Sequence, residues 1–153
     1  MRPFYRAHAV AIPQPAAPGV VSGLPLLLLR SEGLALLAIA LVLYGSNGGS
    51  WWLFLILLAA PDIGLLGLLW SKPIGAVTYN LTHTYVPPTL ISILGWVTGA
   101  AVATSIGLIW FAHIGMDRAL GLGLQYPDGS GRTHLSSRLA PLPTDQEEAA
   151  WNA

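Results

Sequence analysis

The chain alternates long apolar runs with short polar breaks, and most of the runs are as long as a membrane crossing. Leu24 to Tyr44 is the first run, interrupted by Arg30 and Glu32. Gly45-Ser46-Asn47-Gly48-Gly49-Ser50 follows, a cluster of turn formers. Trp51 to Trp70 is the second run, with tryptophans at both ends where interfacial anchors belong. Ser71-Lys72-Pro73 breaks it. Ile74 to Ala103 is the third, and it exceeds the roughly 20 residues that one upright span requires. Pro87-Pro88 falls inside it and predicts a kink or a split, because proline removes a helix hydrogen bond and crowds the preceding turn. Thr104 to about Leu122 is the last run. The pattern predicts an all-α, integral membrane bundle of about four transmembrane helices, the third kinked or split at Pro87-Pro88. Residues 24–126 form that domain. Residues 1–23 read as a flexible, proline-broken N-terminal tail, and residues 127–153 as a flexible, polar C-terminal tail.

Composition turns this pattern into a class. Hydrophobic residues are 54% of the 153 and charged residues 9%, against about 25% charged in soluble domains. A chain this short has too little interior to hide so much apolar surface from water, which excludes an ordinary soluble enzyme. Seven basic and seven acidic residues cancel, so nothing points to nucleic acid. There is no cysteine, hence no thiolate nucleophile or thiolate metal ligand. In a four-span arrangement Arg2, Arg6, Arg30, Lys72, Arg118, Arg132 and Arg138 all fall on one side. The positive-inside rule makes that side cytoplasmic. The expected location is a bacterial inner (plasma) membrane, multi-pass, with both termini in the cytoplasm.

The candidate chemistry lies in a few polar residues within the apolar runs: Glu32, Asp62, His83, His113 and Asp117. Ionisable groups in a bilayer cost roughly 2.5–3.5 kcal/mol each on insertion scales, and they face the bundle interior. At about 1.5 Å of helix rise per residue, Glu32, Asp62, His83 and His113 each lie about 12–13 Å from the cytoplasmic end of their spans, and Asp117 about 6 Å. Four spans thus offer polar groups to one layer. His113 and Asp117, at i and i+4, share a helix face, as do Asn80, His83 and Thr84. Imidazole and carboxylate together suit zinc, manganese or iron, so a divalent metal ion is the expected cofactor. Interhelical glue is the competing reading of the same residues. Gly95 and Gly99 form a GxxxG step, which serves either packing within the chain or a homo-oligomer face. His134, just past the last run, reaches the site only if the chain folds back.

Arg30-Ser31-Glu32-Gly33, Ala60-Pro61-Asp62, Tyr79 to Tyr85, His113 to Arg118 and Thr133-His134-Leu135 form a further set of motifs. Together they resemble an uncharacterised bacterial membrane family catalogued as domain of unknown function 4260. More distantly, Pro61-Asp62-Ile63, Thr82-His83, His113 with Asp117, and Gly123 before Tyr126-Pro127 resemble membrane-bound metal-dependent hydrolases of the YdjM type. That resemblance implies Asp62, His83, His113 and Asp117 as metal ligands or metal-site acids. Glu32 is then a ligand or the general base, and Asn80 and His134 are secondary candidates. Departures from the pattern are Gly64 in place of a second acid, Thr78-Tyr79 in place of a His-Arg pair, and Glu32 where the pattern begins with a histidine. The expected activity is metal-dependent hydrolysis of a lipid-derived or phosphoester substrate reached from the bilayer. A proton or cation path is an alternative, as is a structural membrane protein.

Overall fold

The computed structural model describes residues 20–128 and 130–136. Those residues form an all-helical bundle: α1 (Gly23–Ser46), α2 (Trp51–Leu57), a 3-10 helix (Ala60–Leu69), α3 (Lys72–Thr82), α4 (Val86–Thr98) and α5 (Ala101–Leu120). Two helical stretches, Gly23–Ser46 and Trp51–Leu69, are long and apolar enough to cross a membrane. α5 matches them in length with 20 residues, but His113, Asp117 and Arg118 dilute its apolarity. Large apolar side chains such as Val42, Trp52, Ile56, Leu69 and Trp96 face outward. A soluble monomer rarely exposes so continuous an apolar surface.

α5 is the central element, packed against α1 on one side and α4 on the other. Its approach to α1 is backbone to backbone. A Cβ added at Gly115 would stand 2.7 Å from the Leu37 nitrogen and 2.9 Å from the Gly33 oxygen. One added at Gly33 would stand 2.7 Å from the Ala119 nitrogen. Small residues at such a crossing let helices in lipid gain van der Waals contact, which replaces the missing hydrophobic drive. Above the crossing, Ala40, Tyr44, Phe54, Leu108, Ile109 and Ala112 form the apolar core. The fully buried Tyr44 donates its hydroxyl to the Ser50 carbonyl at 2.6 Å, which pins the turn between α1 and α2.

The second apolar run is helical throughout but not uniformly α. After Leu57 it tightens into the 3-10 helix Ala60–Leu69, with Pro61 in its first turn. Ten residues is long for a 3-10 helix, which seldom runs past three or four. It is held by its neighbour: Gly64 and Gly67 lie against α3, and Thr78 donates its hydroxyl to the Gly64 carbonyl. The third run is split, as the prolines imply. α3 ends at Thr82, and α4 restarts at Val86 with Pro87 and Pro88 in its first turn, where a missing N–H costs nothing. The break falls at His83–Tyr85, one turn before the prolines, because Pro87 and Pro88 have no N–H to give the carbonyls of residues 83 and 84 and their rings crowd that turn. Gly99 closes α4 with a left-handed φ of 70°, and α5 starts at Ala101, three residues before the run boundary read from sequence. Gly95 is taken up within the chain, where a Cβ added to it would run into the Thr104 nitrogen of α5. Residues 127, 128 and 130–136 of the expected polar tail are described, and with 122–126 they fold back on the bundle. Val21 donates its N–H to the His134 carbonyl at 3.0 Å, and Leu135 is buried. Residues 1–19 and 137–153, where the rest of the expected tails lie, are outside the described residues.

Candidate metal centre

Each irregularity of the fold places one polar side chain at the same point. The tight 3-10 turn after Pro61 presents Asp62. The break between α3 and α4 leaves His83 as the cap of α3, with φ −108° and ψ 17°, and its side chain fully buried. α5 supplies His113 and Asp117 one turn apart. The two imidazole Nε2 atoms meet at 3.0 Å. Asp62 Oδ1 stands 3.4 Å from His83 Nε2 and 3.6 Å from His113 Nε2. Asp117 Oδ2 stands at the same two distances, 3.4 and 3.6 Å. Four candidates named from sequence are therefore brought together. Asp62, His83 and His113 offer donor atoms that all lie within 4.8 Å of one another, as one ion requires.

The hydrogen bonds around His83 fix its tautomer. Its Nδ1 lies 2.9 Å from the Tyr79 carbonyl, which can only accept, so the proton is on Nδ1. The Nε2 lone pair then points into the cluster. Metal-bound histidines show this arrangement, in which the second ring nitrogen donates to a carbonyl. Tyr79 also stacks on the His83 ring at 3.7 Å and donates its hydroxyl to Asp117 Oδ2 at 3.3 Å. One residue thus orients two members of the cluster. Sequence reasoning passed over Tyr79, although its i, i+4 spacing from His83 was the available signal. His113 Nδ1 is buried with no hydrogen-bond partner among the described residues, which leave that ring's tautomer to whatever binds at Nε2.

The break that aims His83 frees two carbonyls, and α5 satisfies both. Trp110 Nε1 donates to the Thr82 carbonyl at 2.7 Å, and Arg118 Nη2 to the His83 carbonyl at 2.9 Å. Irregular backbone at membrane depth survives only when neighbours re-pair it in this way. Neither role has a signal in the sequence, where Arg118 stands out only by its charge and its place in the His113 to Arg118 motif.

The remaining candidates lie beside the cluster. Glu32 is exposed and makes no ion pair among the described residues. It lines a cavity of about 380 Å³ whose wall includes His83, Arg118 and His134. Asn80 faces the fold-back: its amide donates to the Gln125 carbonyl at 2.8 Å and accepts from the Gln125 N–H at 2.7 Å. His134 Nδ1 accepts from the Leu124 N–H at 2.9 Å. Below them, Asp128 and Arg132 pair at 2.7 Å. Burial alone would raise the Asp128 pKa, but hydrogen bonds from Ser130 and Arg132 outweigh it and hold the carboxyl below its ordinary value.

Burial, and then the charge of Arg118, lower the His134 pKa from 6.5. The fold therefore favours the neutral ring. Its contribution to stability is complete above pH 6.5 and is lost as pH falls through the depressed folded value. The hydrogen-exchange protection factor of the Leu124 amide is expected to be constant between pH 7 and 8 and to fall below pH 6.5. Equal protection on both sides of that window would contradict this role for His134.

No curated protein and no solved structure matches the chain. A family model described as a domain of unknown function matches residues 26–137, which contain every member of the cluster and the fold-back over it. The chain belongs to that family, DUF4260.

Proposed function

We propose that the protein is a multi-pass membrane enzyme with a divalent metal ion at the His83–His113–Asp62 cluster, where it hydrolyses a substrate reached from the bilayer. The observation that supports this is the triangle of donors. Two ligands of one tetrahedral ion at 2.0–2.2 Å stand roughly 3.3–3.6 Å apart. The three edges here are 3.0, 3.4 and 3.6 Å. Three protein ligands with a further position open to water is the arrangement of catalytic rather than structural sites. Asp117, braced by Tyr79, is the fourth candidate ligand. Bound there, a divalent metal would lower the pKa of a water and polarise the scissile bond. The side chain of Asp62 is 43% exposed, whereas those of His83 and Asp117 are 0% and 7%, so entry is past Asp62. An apolar cavity of about 290 Å³, lined by Pro61, Ile63, Thr82 and Trp110, opens beside it. Two histidines, a carboxylate and an apolar approach suit zinc, manganese or iron and a substrate with a hydrocarbon portion.

The seven basic residues, the apolar outer surface and the two crossing-length stretches support four spans with both termini cytoplasmic. This reading agrees with the resemblance to membrane-bound metal-dependent hydrolases. The test is a hydrolysis screen with ester and phosphoester substrates on protein stripped by a chelator and then reloaded. Activity should return only with the metal and be absent in Asp62→Asn. Hydrolysis that is unaffected by chelator would contradict the proposal. Tyr79→Phe removes the brace on Asp117 and is expected to weaken metal binding by about tenfold, as loss of an outer-shell partner does. A competition titration reads this directly, and unchanged affinity would remove Tyr79 from the centre.

A further inference from the structure

We propose that the cavity walled by His83, Arg118 and His134 binds the phosphate group of a phosphate-bearing amphiphile. This inference names the substrate class for the hydrolytic reading above and rests on it. The cavity, about 380 Å³, lies between α1, the start of α4, the end of α5 and the fold-back, and His83 is common to its wall and to the metal cluster. A group held there is one side chain away from the ion.

Arg118 carries the argument. It is only 7% exposed, yet it has no carboxylate within ion-pair distance among the described residues. Its two bonds go to carbonyls, Nη1 to Leu122 at 2.8 Å and Nη2 to His83 at 2.9 Å. Of its five N–H donors, three are not used in those bonds. Carbonyls solvate a guanidinium but leave its charge uncompensated, and a buried charge without a counter-ion is costly. An oxyanion in the cavity offsets that charge, and the planar fork of Arg matches phosphate geometry. Two further donors face the same space. His134 accepts at Nδ1, so its proton is on Nε2. Thr84 Oγ1 accepts from the Val86 N–H and keeps its own hydroxyl proton to donate. The start of α4 lends only its dipole, since Pro87 and Pro88 have no N–H. Leu29, Val86 and Leu135 complete the wall with apolar surface, which suits a phosphate carried on a hydrocarbon. Glu32, the one acid in the wall, is exposed, and it opposes the anion.

The test uses chelator-stripped protein in a non-ionic detergent, so that phosphate cannot bind through a metal and the outcome is independent of the hydrolytic reading. Inorganic phosphate, a short-chain phosphatidic acid and the corresponding phosphate-free diacylglycerol are titrated separately. Both phosphate compounds should bind and the diacylglycerol should not. Tighter binding of the phosphatidic acid is the expected result and assigns the site to a lipid headgroup; equal binding of the two overturns the amphiphile and leaves a site for free phosphate. Glu32→Gln, at an exposed position, should bind several-fold more tightly, and Arg118→Lys about tenfold more weakly. If Arg118→Lys does not fold, Glu32→Gln alone decides. Failure of wild-type protein to bind either phosphate compound, or a Glu32→Gln variant that binds no more tightly, overturns the proposal.

Discussion

Gly115→Leu is expected to yield no folded, monodisperse protein. The position lies where α1 and α5 touch through their backbones, and a Cβ there would stand 2.7 Å from the Leu37 nitrogen. Backbone atoms held in two helices cannot rotate away as a flexible side chain can. A leucine must push the helices apart by ångströms. Overpacking costs about 1–3 kcal/mol where the core can adjust, and more where the obstacle is backbone. Separation also removes the bonds that cross the interface, including that of Arg30 Nε to the Ala119 carbonyl at 2.8 Å. Because Gly115 lies between His113 and Asp117, the same movement displaces two members of the cluster. Size-exclusion profiles and thermal melts in detergent measure the effect. Even Gly115→Ala should lower the melting temperature. A leucine variant that melts with the wild type would contradict the packing described for α1 and α5.

His83→Ala is expected to abolish stabilisation by metal while leaving the fold in place. The substitution removes the ring but keeps the backbone carbonyl that Arg118 holds, so the α3–α4 break retains its main tether. It does remove the Nε2 atom that makes the shortest contacts of the cluster, 3.0 Å to His113 and 3.4 Å to each carboxylate. A ligand that binds only the folded state at 100 times its Kd stabilises that state by about 2.7 kcal/mol. Wild-type protein should therefore melt several degrees higher with excess zinc or manganese, and His83→Ala should show no shift. An equal shift in both proteins would place the ion elsewhere.

Much of this was legible in the sequence because a bilayer makes polar residues scarce. Asp62, His83, His113 and Asp117 stand out in apolar runs. Counting residues from the run ends put the first three in one layer with Glu32, which the structure leaves exposed outside the cluster, and helix spacing put Asp117 on the His113 face. The structure joins the two histidines and the two aspartates at 3.0–3.6 Å. The split at Pro87-Pro88 was legible for a local reason, the missing N–H groups and the crowding of the preceding turn. The 3-10 geometry of Ala60–Leu69 was not, since it depends on how Gly64 and Gly67 meet α3, and hydropathy carries no such information. The roles of Tyr79, Trp110 and Arg118 were hidden for a related reason. Each acts on a carbonyl, a ring or a carboxylate of another residue, and those partners exist only once the helix has broken. The fold-back of 122–128 and 130–136 is held by Asn80 and Gln125, residues 45 apart, with no pattern in the chain to announce the pairing.

Elemental analysis tests the central claim most directly. The protein would be purified in mild detergent without chelator, beside a folded His113→Ala/Asp117→Ala variant. About one zinc, manganese or iron per chain in the wild type, and none in the variant, is the expected result. No metal in either protein, even after incubation with zinc, manganese and iron(II), would contradict the metal centre and leave the His83–His113 contact as a hydrogen bond that ties α3 to α5.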